Sequence, residues 1–164
     1  MKQKVVVIGH GYTSRLAVIR SVAQLDCEIT VIVMTGYKRN SNKLNTKKPI
    51  DGYSKYVNQL LYCHYDDEEG LIKLLLNKCV SNGGKTIIIP DSDFSASVID
   101  KNQLRLNDNF LFPHIHHTPG TVIEWMDKTK QKELALKLGL NVPSSCVVNI
   151  VKIEIGRASC RERV

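Results

Sequence analysis

Lys4-Val-Val-Val-Ile-Gly-His-Gly11 sets a run of four β-branched residues directly before two closely spaced glycines and a helical stretch. An apolar run this short and continuous reads as a strand buried on both faces of a sheet. Glycines at its end allow backbone amides and a helix N-terminus to approach an anion closely, or allow the turn to pack tightly; both uses stay open. The helix is expected over Tyr12 to Gln24, where Leu16, Ile19, Val22 and Ala23 share one face. The full dinucleotide fingerprint is not met. Its third glycine would fall at Ser14, and Asp26 or Glu28 comes early for an acid that binds a ribose.

Working outward, the same alternation repeats. Glu28 to Met34 reads as a second strand. Tyr53 to Cys63 reads as a short helical turn leading into a strand, although Tyr56, Val57, Leu60 and Leu61 also suit a helix. Asp66-Asp-Glu-Glu69 places acids at the positive end of the next helix, whose buried stripe is Leu71, Ile72, Leu75, Leu76 and Cys79 and whose stop is Asn82-Gly-Gly84. Thr86 to Ile89 is a buried strand, Pro90-Asp-Ser-Asp93 caps a helix running to about Lys101, and Phe110 to Phe112 suits a short strand. Thr118-Pro119 supplies a cap and a first-turn proline for a helix through Trp125. A last helix runs from Lys128 to Leu138 and stops at Gly139. The pattern predicts an α/β fold: an open, mostly parallel sheet with helices on both faces.

Composition narrows the function classes. With 43% hydrophobic and 24% charged residues, the chain is that of an ordinary globular protein. No apolar run approaches the ~18 residues of a membrane span, and the first strand follows Met1-Lys-Gln-Lys4 without a signal-peptide core, so no membrane partner and a cytoplasmic location are expected. Cys27, Cys63, Cys79 and Cys146 form no CxxC pair and read as reduced thiols. The formal charge of +7 raises nucleic acid as a partner. Much of the excess lies in residues 38–48, where no aromatic residue is interleaved for base stacking, so no nucleic-acid partner is expected. That segment reads as a solvated loop, or as a lid over an anionic substrate.

Chemistry-bearing residues follow from position. Asp91, Ser92 and Asp93 sit at the carboxyl end of a central strand, the edge where open α/β sheets hold ligands. The two carboxylates can bind a substrate amine or hydroxyl; capping of the next helix by Ser92 or Asp91 is the structural alternative. His114, His116 and His117 are metal-ligand types, but an extended segment would send His117 away from the other two, leaving a polar surface loop. Lys128 opens the last helix, where an ammonium is misplaced against the helix dipole unless an anion shares the site.

Taken in order, Val5-Val-Val-Ile-Gly-His-Gly11, Lys55-Tyr-Val57, Ile87-Ile-Ile-Pro-Asp-Ser-Asp93 and Met126-Asp-Lys128 leading through Glu133-Leu-Ala135 to Leu138-Gly-Leu-Asn-Val-Pro143 resemble the ATP-grasp superfamily. The likeness is greatest to carboxylate-amine ligases with a pre-ATP-grasp domain, such as the D-aspartate-ligase-like and carbamoyl-phosphate-synthase-like groups. The resemblance implies a Rossmann-like pre-ATP-grasp domain over residues 1–118 and the first helices of a truncated ATP-grasp module over 119–153. It implies ATP and Mg2+ as cofactors of a longer parent, and small-molecule carboxylate and amine substrates that are joined through an acylphosphate. By position, Lys128 matches the lysine that contacts ATP phosphates, while Gly9, His10, Gly11, Asp91, Ser92 and Asp93 match the substrate end of the cleft.

The chain also departs from the pattern. The second nucleotide-binding lysine, the adenine-contacting strand and the acidic metal ligands would follow about Ile153, so this stretch alone is expected to be inactive and to bind ATP weakly. His10 and Thr13-Ser14-Arg15 differ from the commoner glycine- and asparagine-rich turn, which leaves the substrates open. Glu154 to Val164 has no apolar period and back-translates to a string similar to a sequencing adapter, so it is expected to pack against nothing. A Rossmann-like domain that binds a nucleotide or sugar nucleotide without ligation is the alternative.

Overall fold

The computed structural model describes residues 2–10, 13–36 and 43–144. The expected apolar runs form strands β1 (Lys4–Gly9), β2 (Glu28–Thr35), β3 (Val57–His64), β4 (Thr86–Pro90) and β5 (Phe110–Leu111). They make one five-stranded sheet in the order β3-β2-β1-β4-β5, with every neighbouring pair parallel. Parallel neighbours cannot be joined by tight hairpins, so the chain crosses over between them. Helix α1 (Thr13–Val22) links β1 to β2, α2 (Glu68–Lys78) links β3 to β4, and α3 (Asp93–Lys101) with α4 (Gln103–Leu106) links β4 to β5. The β2–β3 connection carries a 3-10 turn at Ile50–Tyr53. Helices α5 (Thr121–Met126) and α6 (Lys128–Lys137) follow the sheet. This is the α/β class expected, consistent with a Rossmann-like open sheet.

Strand periodicity divides the core in two. Val5 and Val7 of β1 join Ile29, Val31 and Val33 of β2 beneath Ile19 of α1. Val6 and Ile8 face the opposite way, with Ile32 and Met34, against Leu71, Ile72 and Leu75 of α2 and Val98 and Ile99 of α3. Alternate side chains along a strand point to opposite faces, so the single run Val5 to Ile8 serves both layers. Fully burying each such side chain is worth about 1.5–3 kcal/mol relative to leaving it exposed.

The helical turn expected to lead into a strand at Tyr53 to Cys63 forms, as the 3-10 turn followed by β3. Other expectations change on folding, and the first is at β5, which leaves Phe112 outside the strand. The second change is at α5, which begins at Thr121 rather than at Pro119, with Gly120 as its N-cap at φ 86°. A glycine tolerates that left-handed backbone without a Cβ penalty. The cap is tertiary: the Ile123 amide donates to Asp100 of α3 at 3.2 Å. Gln103 braces the same carboxylate, donating to Asp100 Oδ1 at 2.8 Å and to the Thr118 carbonyl at 3.3 Å. Both neighbours of that amide are acceptors, which orients its nitrogen toward them and leaves its buried oxygen, Gln103 Oε1, unpartnered.

Third, His117 is not sent away from His114. The segment turns instead of extending: His116 and His117 have φ of 52° and 53°, and the Thr118 amide donates to the Ile115 carbonyl at 3.1 Å. The His114 and His117 rings lie 3.6 Å apart as a result. The helix expected to run to about Lys101 is α3, and α4 adds a separate short helix after Asn102. Cys63 and Cys79 are buried, and burial pushes each thiol up to about 11; Cys27 is half-buried, and Cys146 lies outside the described residues. The same holds for residues 37–42 of the basic loop and for the expected terminal scar. Among the described residues no helix is long and apolar enough to cross a membrane.

Candidate functional site at the carboxyl edge of the sheet

The strand order reverses between β1 and β4: β1 continues to β2 and β3 on one side, whereas β4 and β5 extend the sheet on the other. Two crossovers leave in opposite directions there and open a crevice at the carboxyl ends. A cavity of about 640 Å³ occupies that edge. His10 after β1, Met34 near the end of β2, and Tyr65 and Asp66 after β3 line one side of it. Ser92, Asp93 and Phe94, at the start of α3, line the other.

Gly9 explains how the edge closes. A Cβ there would stand 2.9 Å from the Asp91 Cβ, so only glycine allows β1 and β4 to meet this closely. The Asp91 amide donates to the Ile8 carbonyl at 2.7 Å, and the Ser14 hydroxyl donates to Asp91 Oδ2 at 3.0 Å. Asp91 is therefore a brace between the β4 end and α1, and it does not line the cavity. Ser92 caps α3: its Oγ accepts from the Ser95 amide at 3.3 Å, while the Ser95 Oγ accepts from the Ser92 amide at 3.2 Å and also donates to the Ile8 carbonyl at 3.2 Å. Capping and cavity lining, alternatives in the sequence, coincide at this residue.

His10 has a defined tautomer. Its Nδ1 lies 3.0 Å from the Met34 carbonyl oxygen, which can only accept, so Nδ1 carries the proton and the neutral ring keeps Nε2 as an acceptor. Tyr65 meets His10 edge-on, with centroids 6.1 Å apart, and stacks on His64 at 4.5 Å.

Beneath the turn lies a buried ion pair. Arg15 and Asp51 are 1% and 0% exposed. Arg15 Nε donates to Asp51 Oδ2, Nη2 to Asp51 Oδ1 at 3.2 Å and Nη1 to the Gly9 carbonyl at 2.5 Å. A planar guanidinium can serve a carboxylate and a carbonyl at once. It thereby ties the end of β1 to the 3-10 turn at Ile50–Tyr53. The loop's base is closed separately, by the Asn45 amide donating to the Gly36 carbonyl at 2.9 Å.

The structure brings His10, Ser92 and Asp93 together on one cavity and puts Gly9 and Asp91 in the frame beneath it; Gly11 lies outside the described residues. Lys128 is elsewhere. It is the first residue of α6, exposed, with Nζ 3.2 Å from Gln131 Oε1. The N-cap of α6 is Asp127, which accepts from the Thr129 amide at 2.7 Å and the Lys130 amide at 3.4 Å; those donors hold its carboxyl below the usual carboxylate range. Sequence alone does not single out Met34, Tyr65, Asp66 and Phe94. Tyr65 and Asp66 directly follow a parallel strand, and that position is the signal that locates them.

Among the described residues, no group of three or more His, Cys, Asp or Glu side chains is placed to hold a metal ion. The cavity's described lining contains no lysine or arginine to meet a polyphosphate. These residues do not by themselves fit ATP and magnesium. Comparison with known protein families, with curated proteins and with solved structures finds no match for the chain.

Proposed function

We propose that this chain is the substrate-side domain of an ATP-dependent carboxylate-amine ligase of the ATP-grasp type, with the nucleotide and magnesium held by a part of a longer parent chain that follows α6. One observation carries this proposal. The first glycine motif and the Ile87–Asp93 motif, far apart in sequence, meet at the crossover between β1 and β4 and together line a cavity of small-molecule size. Its polar lining from these two motifs is His10, Ser92 and Asp93, beside Asp66 and Tyr65 from the end of β3. The role of His10 and Asp93 is to bind and orient a substrate; Ser92, as the cap of α3, with Gly9, Asp91 and the Arg15–Asp51 pair, holds them in place.

Lys128 is the residue of this chain assigned to ATP. An exposed ammonium at the first position of α6 gains nothing from the helix dipole and is available to a phosphate. Calorimetry with ATP and magnesium tests the division of labour: the 164-residue chain is expected to give weak binding or none. Micromolar binding by this chain alone would favour a Rossmann-like nucleotide or sugar-nucleotide domain without ligation. The natural reading frame beyond Ile153 supplies a second check. A ligase requires it to continue into lysine-bearing strands and a late pair of acidic metal ligands.

A further inference from the structure

Three of the cavity's polar side chains can act as acceptors. Asp66 and Asp93 offer carboxylates, and His10, whose Nδ1 is committed to the Met34 carbonyl, offers Nε2 as an acceptor when neutral. Ser92 Oγ is already taken up by the capping box with Ser95. No described lining residue is a lysine or arginine. The remaining walls are the Tyr65 ring, whose hydroxyl can donate or accept, the Phe94 ring and the Met34 side chain. Aromatic faces attract cations through the ring quadrupole, and thioethers and rings accommodate an apolar body.

Among the described residues, the N-terminus of α3 and the Tyr65 hydroxyl are the features that suit an anion. At that N-terminus the Ser95 amide is satisfied by Ser92, and Asp93 supplies a negative charge within the first turn. We infer that the cavity takes a primary ammonium carried on an apolar, ring-sized body. Its identification as the amine partner of ligation, rather than the carboxylate partner, rests on the function proposed above. The ammonium donates to Asp93, Asp66 and His10 Nε2, and its apolar body lies against Phe94, Tyr65 and Met34.

Phenethylamine, 3-phenylpropionate and inorganic phosphate separate the possibilities when titrated into the 164-residue chain while its amide and aromatic NMR resonances are followed. Phenethylamine should shift His10, Tyr65 and Phe94 saturably. Asp93→Asn and Asp66→Asn, each with an unchanged melting temperature, should weaken it about tenfold, the loss of one charge-assisted hydrogen bond. Asp66 lies outside the helices, so its variant keeps the test decisive if Asp93→Asn disturbs α3. Phosphate and phenylpropionate should leave these resonances in place. If phenylpropionate binds and the amine does not, the cation inference falls while the ligase proposal stands. Absence of any amine response, or an amine response indifferent to both substitutions, also overturns it. Micromolar displacement of the amine by ATP at these resonances would overturn the cation inference and the ligase proposal together.

Discussion

The Arg15–Asp51 pair under the glycine turn and the Lys130–Glu124 pair beside α6 are both ion pairs, but water reaches only the second. Arg15 and Asp51 are almost completely buried, whereas the Lys130 and Glu124 side chains are 47% and 52% exposed. The first pair has no alternative partner in water and therefore fixes where the end of β1 and the Ile50–Tyr53 turn sit. The second is screened and replaceable. The same contrast holds for apolar groups. Val5 to Ile8 are all buried, while α5 and α6 contain no buried residue and expose Trp125, Leu134 and Leu136. The sheet edge is built to hold a cavity in one geometry; α6 contributes exposed charges and leucines whose use is not internal to the sheet.

The sharpest way to break that comparison is to remove one buried partner. Asp51→Ala leaves Arg15 charged and unpaired, and should cost about 3–5 kcal/mol in chemical denaturation. The double variant Arg15→Met with Asp51→Leu should recover much of that loss, because it removes the unpaired charge. A cost near zero for Asp51→Ala would make the buried pair no different from the exposed one.

Next in size is Gly9→Ala, which drives a methyl group against Asp91 and should cost about 1–3 kcal/mol by overpacking. It should also perturb the His10 and Asp93 resonances. A neutral result would show that the β1–β4 approach is slack.

A pH titration sharpens the comparison from the core side. Cys63 and Cys79 have thiol pKa values raised by burial to about 11, so the neutral thiol is favoured in the folded state. That contribution is complete below the ordinary thiol value of about 9 and is lost as pH rises through about 11. The melting temperature should fall across this window, less so in a Cys63→Ala, Cys79→Ala variant. Equal alkaline sensitivity in both proteins would contradict it.

The smallest global effect belongs to α6. Backbone donors from Thr129 and Lys130 depress the Asp127 carboxyl, so its capping contribution is present above the ordinary carboxylate value and lost as pH falls through the depressed folded one. Asp127→Ala at neutral pH should imitate that loss, speeding amide exchange at Thr129 and Lys130 while the global denaturation midpoint stays put. A shift of the global midpoint would show that α6 is coupled to the sheet.

How legible each region was in the sequence follows from how local its causes are. Val5 to Ile8, Glu28 to Met34 and Thr86 to Ile89 announce strands because burial on both faces demands continuous β-branched runs. Ser92 announces a cap because the hydroxyl acts within three residues. Arg15 and Asp51 announce nothing: one lies in a helix among polar neighbours and the other in a polar loop, and only the fold makes them partners. Thr118-Pro119 points to a helix start, yet Asp100 from another helix caps α5. The histidine segment was legible as polar but not as a turn, since the left-handed backbone at His116 and His117 has no glycine to mark it. For the cavity, the motif residues His10, Ser92 and Asp93 could be read directly; Met34 and Phe94 reach it only through packing.

The proposal that this chain belongs to a ligase is tested most directly in the longer parent chain, by ATP-dependent phosphate release in the presence of candidate carboxylates and amines. Lys128→Met keeps much of the apolar stem and removes the charge. Phosphate release should require both substrates and fall substantially in the variant, with the melting temperature little changed. Near-wild-type steady-state kinetics for Lys128→Met, or a loss explained wholly by unfolding, would contradict the assignment and return Lys128 to the solvated surface of α6.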